Sequence, residues 1–152
     1  MYYAGVGISE LEIPNKKSLV IYISECQNKC PGCHTPYLHQ RYGDLLRENF
    51  EDVFNLYYNY FEVLCIMGEG KCTKEVQEEI QYYCNYSHNH NKQFALYSGR
   101  DCEIEDWMKE FDFIKVGAYK EEYGPLTVKT TNQILYKKEN NSFINITSRF
   151  WK

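Results

Sequence analysis

No apolar run in this chain approaches the roughly 20 residues that a helix needs to span a bilayer. The opening residues, Met1-Tyr2-Tyr3-Ala4-Gly5, lack the charged start and apolar stretch of a secretory signal. Positive charge is in deficit: 17 Lys and Arg stand against 21 Asp and Glu, a formal net charge of −4. That balance argues against a protein whose main business is gripping nucleic-acid backbone. There is no internal repeat, no low-complexity linker and no second C-x2-C pair. These absences point to a cytoplasmic chain with neither membrane nor nucleic acid as partner. At 152 residues and 43% hydrophobic, it is expected to form a single domain, 1–152, around one core.

Cysteine is what the chain does have. The seven cysteines are odd in number and irregularly placed, which in a reducing compartment means metal or catalysis rather than disulfides. Three of them, Cys26, Cys30 and Cys33, fall in the stretch Cys26-Gln27-Asn28-Lys29-Cys30-Pro31-Gly32-Cys33-His34. Buried free cysteines serve as small hydrophobes, but they do not come in such tight sets. Thiolates this close can converge on one soft metal centre, zinc or an iron–sulfur cluster. Pro31 and Gly32 keep the segment out of helix and strand and let it wrap. A closed zinc site wants four protein ligands, and so does a ferredoxin-type cluster. No fourth cysteine follows in this loop, so a cubane here would keep one iron open to a small molecule; His34 or His39 as a fourth ligand would make a zinc site instead. Cys65, inside an apolar run, reads as core. Cys72, Cys84 and Cys102 are scattered, and His88 and His90 sit in an Asn-rich stretch that reads as solvated.

Apolar, β-branched runs mark four strands: Ser18–Ser24, Glu62–Met67, Gln93–Tyr97 and Phe113–Val116. Between them, Leu46, Phe50, Val53, Phe54, Tyr57 and Phe61 repeat at helical spacing after Asp44, a candidate N-cap. Val76, Ile80, Tyr83 and Cys84 repeat likewise after Thr73. Asn85–Lys92 reads as a loop and Glu103–Phe111 as a short helix. Residues 134–137 and 143–147 read as a hairpin around Glu139-Asn140-Asn141. Alternating strands and helices call for α/β architecture with a parallel sheet. A full eight-fold barrel takes about 250 residues, so this chain is expected to close only part of one. The cysteine loop, Gly68-Glu69-Gly70, Ser98-Gly99-Arg100 and Gly117 each follow a strand. In a parallel sheet they share the carboxyl edge, where such folds place their ligands. An open part-barrel also favours a substrate presented by a partner protein.

The Cys26/Cys30/Cys33 loop is followed in order by Gly68-Glu69, Leu96-Tyr97-Ser98-Gly99-Arg100, Lys115-Val116-Gly117, Gly124-Pro125-Leu126 and Thr130-Thr131-Asn132-Gln133. On these residues the chain, as far as about Tyr136, resembles the activating proteins of anaerobic (class III) ribonucleoside-triphosphate reductases. Those proteins are radical S-adenosylmethionine (SAM) enzymes. The resemblance implies a [4Fe-4S] cluster on Cys26, Cys30 and Cys33, with SAM chelated to its open iron. It implies a radical SAM activase, in which reductive cleavage of SAM yields methionine and a 5′-deoxyadenosyl radical. That radical then takes an α-hydrogen from one glycine of the reductase. Implied partners are the reductase large subunit and a flavodoxin- or ferredoxin-type electron donor. Implied SAM contacts are Gly32, Cys33 and His34 in the loop, Gly68 and Glu69 at the turn that receives the SAM amino group, and Ser98 toward its carboxylate or ribose. Arg100 would face SAM or the partner. Gly-Glu-Gly departs from the family's Gly-Gly-acid turn, and Gly32 stands where an aromatic residue is common in the wider superfamily. The alternatives are a radical SAM protein acting on another glycyl-radical enzyme or a small molecule, and a non-catalytic zinc or electron-transfer module.

Overall fold

The computed structural model describes every residue except Lys29, His34 and Lys152. Its frame is a mixed sheet of eight strands: β1 (Tyr2–Ser9), β2 (Ser18–Ile23), β3 (Asp44–Leu45), β4 (Val63–Met67), β5 (Gln93–Tyr97), β6 (Phe113–Val116), β7 (Ile134–Glu139) and β8 (Ser142–Asn145). Their order in space is β3-β1-β2-β4-β5-β6-β7-β8. Strands β2, β4, β5 and β6 pair in parallel, as the alternating pattern predicts. Antiparallel β1 and β3 extend one side, and the β7–β8 hairpin extends the other. Two helices, α1 (Leu46–Tyr57) and α2 (Lys74–Asn89), complete an α/β fold. Among the described residues no helix is long and apolar enough to cross a membrane.

The parallel strands read as continuous apolar runs because both of their faces are covered. Side chains alternate across a strand, so Leu19, Ile21 and Ile23 of β2, with Leu64, Ile66, Phe94, Leu96 and Ile114, pack with Phe50 and Phe54 of α1 and Ile80 and Tyr83 of α2. Their alternates, Val20, Cys65, Ala95 and Phe113, form the opposite face. Neither α1 nor α2 contributes a residue to it. It is covered instead by Ile13, from the link between β1 and β2, and by Ile146 and Phe150 beyond β8. We call it the inner face.

The structure corrects several sequence expectations. Strand β1 is absent from the sequence reading, because Tyr-Tyr-Ala-Gly-Val-Gly-Ile-Ser has neither strand alternation nor an uninterrupted apolar run. Asp44 is not an N-cap: it pairs with Tyr3, and the first α1 amide, that of Leu46, is satisfied by the Met1 carbonyl at 2.9 Å. Thr73 does cap α2, its hydroxyl accepting from the Val76 amide at 3.3 Å. Helix α2 runs on through Asn89 into the stretch read as a loop. Tyr86 explains the extension: it packs edge-on against Phe50 and Phe54 and stacks on His90 at 4.1 Å. Glu103–Phe111 holds only one 3-10 turn, Asp106–Met108, anchored by fully buried Met108 and Phe111.

Candidate functional site

With β2, β4, β5 and β6 parallel, the loops that leave their carboxyl ends gather along one edge. Residues 24–43 leave β2 and carry the cysteines. The chain turns at Cys30-Pro31-Gly32-Cys33, where the Cys33 amide donates to the Cys30 carbonyl at 3.1 Å. Gly32 has φ +73°, which suits the third position of a type II turn, with Pro31 at the second. A Cβ at Gly32 would lie 3.1 Å from the Glu121 carboxylate, so a side chain there requires Glu121 to shift and strains the backbone at this positive φ.

Two ties hold this loop over the edge and a third closes it on itself. The Asn28 side-chain amide donates to the Gly99 carbonyl, joining it to the turn after β5. Glu25 pairs with Lys71 at 3.4 Å, joining it to the turn after β4. The Cys26 amide donates to the Leu38 carbonyl at 2.9 Å, folding the loop's return back on itself. All three loop cysteines are half-buried. His34 lies outside the described residues, and His39 closes a 3-10 turn, Pro36–His39. Among the described residues no three His, Cys, Asp or Glu side chains stand close enough together to hold a metal ion.

The other cysteines are placed to stay protonated. Cys65 is fully buried, and burial pushes its thiol well up. Cys84, packed between α2 and the chain at Glu110, is raised by burial and by Asp112. Burial, then Glu69, pushes Cys72 up to about 11, and burial raises Cys102. Without a metal beside them, all four are held as thiols rather than thiolates.

Behind the loop lies a network that sequence reading missed. Glu69 is only 6% exposed. Its Oε2 accepts from Ser98 Oγ at 2.6 Å and from Arg100 Nε at 2.9 Å, and its Oε1 accepts from Arg100 Nη2 at 2.8 Å. Arg100 also forks onto Glu105, at 2.7 and 3.2 Å, and Glu105 accepts from Trp107 Nε1 at 2.8 Å. Glu69, then Glu105, holds the guanidinium well above its ordinary range by accepting its hydrogen bonds. In return, Arg100 holds the Glu105 carboxyl below its own. Glu69 and Ser98, both expected to face SAM, are thus bonded to each other. A carboxylate offers about four acceptor positions, so with its partners among the described residues Glu69 has room for one further donor, on Oε1.

Gly68, also expected at SAM, has φ +122°. Gly117 answers a simpler question, whether it is a plain turn or a close approach. A Cβ there would sit 3.0 Å from the Gln133 Cα, and its φ is +108°. Gly117→Ala is therefore expected to cost about 1–3 kcal/mol of stability, read by chemical denaturation. The clasp it permits is the work of the Thr130-Thr131-Asn132-Gln133 segment. Asn132 Nδ2 donates to the Ala118 carbonyl at 3.0 Å, and Gln133 Oε1 accepts from Lys115 Nζ at 2.9 Å. A lysine inside an otherwise apolar strand was the one visible signal of that contact.

A groove of about 1250 Å³, lined by Ile8, Leu11, Leu56 and Tyr60, opens at the opposite edge of the sheet, and none of the candidate site residues lines it. None of the protein-family models, curated proteins or solved structures compared with the chain matches it.

Proposed function

We propose that the protein is a radical SAM activase built on an incomplete (βα) barrel. On this reading it generates a glycyl radical on an anaerobic ribonucleoside-triphosphate reductase. The observation that carries the reading is positional: a loop with three cysteines and no fourth lies across the carboxyl ends of four parallel strands, tied to the turns after β4 and β5. The donor set suits the implied cofactor, since Cys26, Cys30 and Cys33 supply three soft sulfurs and leave one iron for a small ligand. Metal binding would then draw the loop closed, as it does where sites form with their metal. A [4Fe-4S] cluster held there, with SAM, supplies one-electron cleavage of SAM to methionine and a 5′-deoxyadenosyl radical.

The chain's own residues bind, orient and shield. Glu69 offers its remaining acceptor position to the SAM ammonium, while Arg100 and Ser98 fix the carboxylate that offers it. Gly32, Cys33 and His34 would run past SAM, and Gly68 would let backbone approach it. Across the inner face at the carboxyl edge, register aligns Tyr22, Met67, Tyr97 and Lys115 in one row, a floor that excludes water from below. The sheet does not close, since β3 and β8 stand at its two ends. A partner protein is therefore the substrate we favour: the reductase large subunit, with a flavodoxin- or ferredoxin-type protein as electron donor.

The test is anaerobic reconstitution with iron and sulfide, reduction, and addition of SAM. A brown protein that releases 5′-deoxyadenosine is the expected result. A colourless protein that holds zinc and leaves SAM intact would overturn the reading in favour of a non-catalytic zinc module.

A further inference from the structure

We propose that strand β8 is a self-pairing edge, through which two copies of this chain join their sheets in an antiparallel, two-fold dimer. The last strand of a sheet presents unpaired amide and carbonyl groups, and proteins guard such edges with charge, proline, a bulge or extreme shortness. One end of this sheet is guarded in that way, since β3 has two residues and one of them is Asp44. The β8 end is not. Strand β8 has four residues, and the stretch 140–148, Asn-Asn-Ser-Phe-Ile-Asn-Ile-Thr-Ser, holds neither a charge nor a proline. Its register with β7 runs unbroken from the Tyr136–Asn145 pair to the Glu139–Ser142 pair, so no bulge twists it away. Ile144 is 41% exposed on it.

The strand matches its own sequence in one register. The Ile146 amide donates to the Leu135 carbonyl at 2.8 Å. Backbone groups alternate in direction along an antiparallel strand, so those of Ser142, Ile144 and Ile146 face β7. Those of Phe143 and Asn145, and of Asn141 just before the strand, then face outward. Among the described residues, no backbone hydrogen bond beyond the ladder involves any of these three. A two-fold axis through Phe143 uses all of them: Phe143 faces its own copy, Asn141 faces Asn145, and Ser142 faces Ile144. That register sets ring against ring and brings no like charges together. An axis through Ile144 would engage only Phe143 and Asn145. The edge offers no charge for a foreign peptide to recognise, whereas its own sequence fits it residue by residue.

The pairing is independent of any metal. A two-fold turns one copy end for end, so the carboxyl edges of the two parallel sets face opposite ways. The cysteine loop leaves β2, and β4, β5, β6 and β7 lie between β2 and β8. Each cysteine loop therefore stays open to a partner protein in the dimer. One short edge buries little against the roughly 1,600 Å² of a standard interface, so the dimer is expected to be weak, with a Kd on the order of 10 μM.

The test is sedimentation velocity of the full chain over a concentration series on either side of about 10 μM. The wild type is expected to pass from one copy to two as concentration rises. Ser142→Lys and Ile144→Glu are each expected to weaken that association about tenfold. Both changes suit the hairpin itself, because Ser142 stands opposite Glu139 and Ile144 opposite Lys137. In the register centred on Phe143 the two new charges face each other across the dimer. The double variant is therefore expected to return to within about threefold of the wild type. A wild type that stays a single copy throughout the series overturns the proposal. So does a dimer that both single variants leave intact, which would give the contact to another surface, such as the groove lined by Leu11 and Leu56. A double variant as weak as the single ones overturns the pairing through Phe143.

Discussion

Alanine at Cys26, Cys30 or Cys33 is expected to abolish cluster assembly and 5′-deoxyadenosine release, each change alone reducing both to background. Loss of an outer-shell partner costs about 10–100-fold in metal affinity or activity, and loss of one of three ligands should exceed that. Cys72→Ala and Cys102→Ala are the informative controls, because both thiols lie near the same edge, within electrostatic reach of Glu69. Both lie outside the C-x3-C-x2-C loop to which the ligands are assigned, so neither change is expected to lower iron content. Iron and sulfide analysis on the anaerobically reconstituted proteins, with product measured by chromatography, separates the two groups. Equal loss in all five variants would mean that the ligand set is misassigned. Loss in Cys72→Ala with the loop cysteines would identify a fourth sulfur ligand and a closed site, which is the zinc or electron-transfer reading.

The parallel heart of the fold could be read from residues because buried parallel strands announce themselves. Leu19–Ile23, Val63–Met67, Phe94–Tyr97 and Phe113–Val116 are short, apolar and bounded by turn residues. Helix α1 was legible for a similar reason, its buried Leu46, Phe50 and Phe54 recurring every four residues. What escaped is what tertiary contact decides. Strand β1 exists because β2 offers it an edge, and it takes a register shift between Tyr3 and Gly5 to fit. The last turn of α2 looks polar, but the Tyr86 ring and a Ser87 hydroxyl bonded to the Tyr83 carbonyl at 2.8 Å hold it helical. The site divides the same way. Spacing alone exposes three cysteines on one loop, and strand order alone puts Glu69, Ser98 and Gly117 beside them. That Ser98 and Arg100 grip Glu69, or that Gln133 grips Lys115, depends on side chains far apart in sequence meeting at one edge, and no local pattern records it.

Arg100→Met is expected to lower stability by about 3–5 kcal/mol, the usual consequence of removing one partner from a buried ion pair. The reason is Glu69. Its carboxylate is 4% exposed as a side chain, and without Arg100 it keeps one partner, Ser98. At about 2–4 °C per kcal/mol for a chain of this size, the melting temperature should fall by roughly 6–20 °C. Glu69→Gln combined with Arg100→Met should recover part of that loss, because the stranded charge is gone; a double variant no more stable than Arg100→Met would place the cost in lost packing of the arginine stem. The pH profile gives an independent readout. The carboxyl of Glu105 lies below its ordinary value of 4.5 because Arg100, first, and Trp107 donate to it. A depressed folded pKa means that the unfolded chain binds the proton more readily. Stability from this contact is therefore present above about pH 4.5 and lost as pH falls through the lower folded value. Glu105 is more than a third exposed, which keeps that increment small, but Arg100→Met should flatten the acid limb of the stability profile. In reconstituted protein the same variant should weaken SAM binding and leave iron content unchanged, since Arg100 orients the carboxylate expected to meet the SAM ammonium and holds none of the sulfurs.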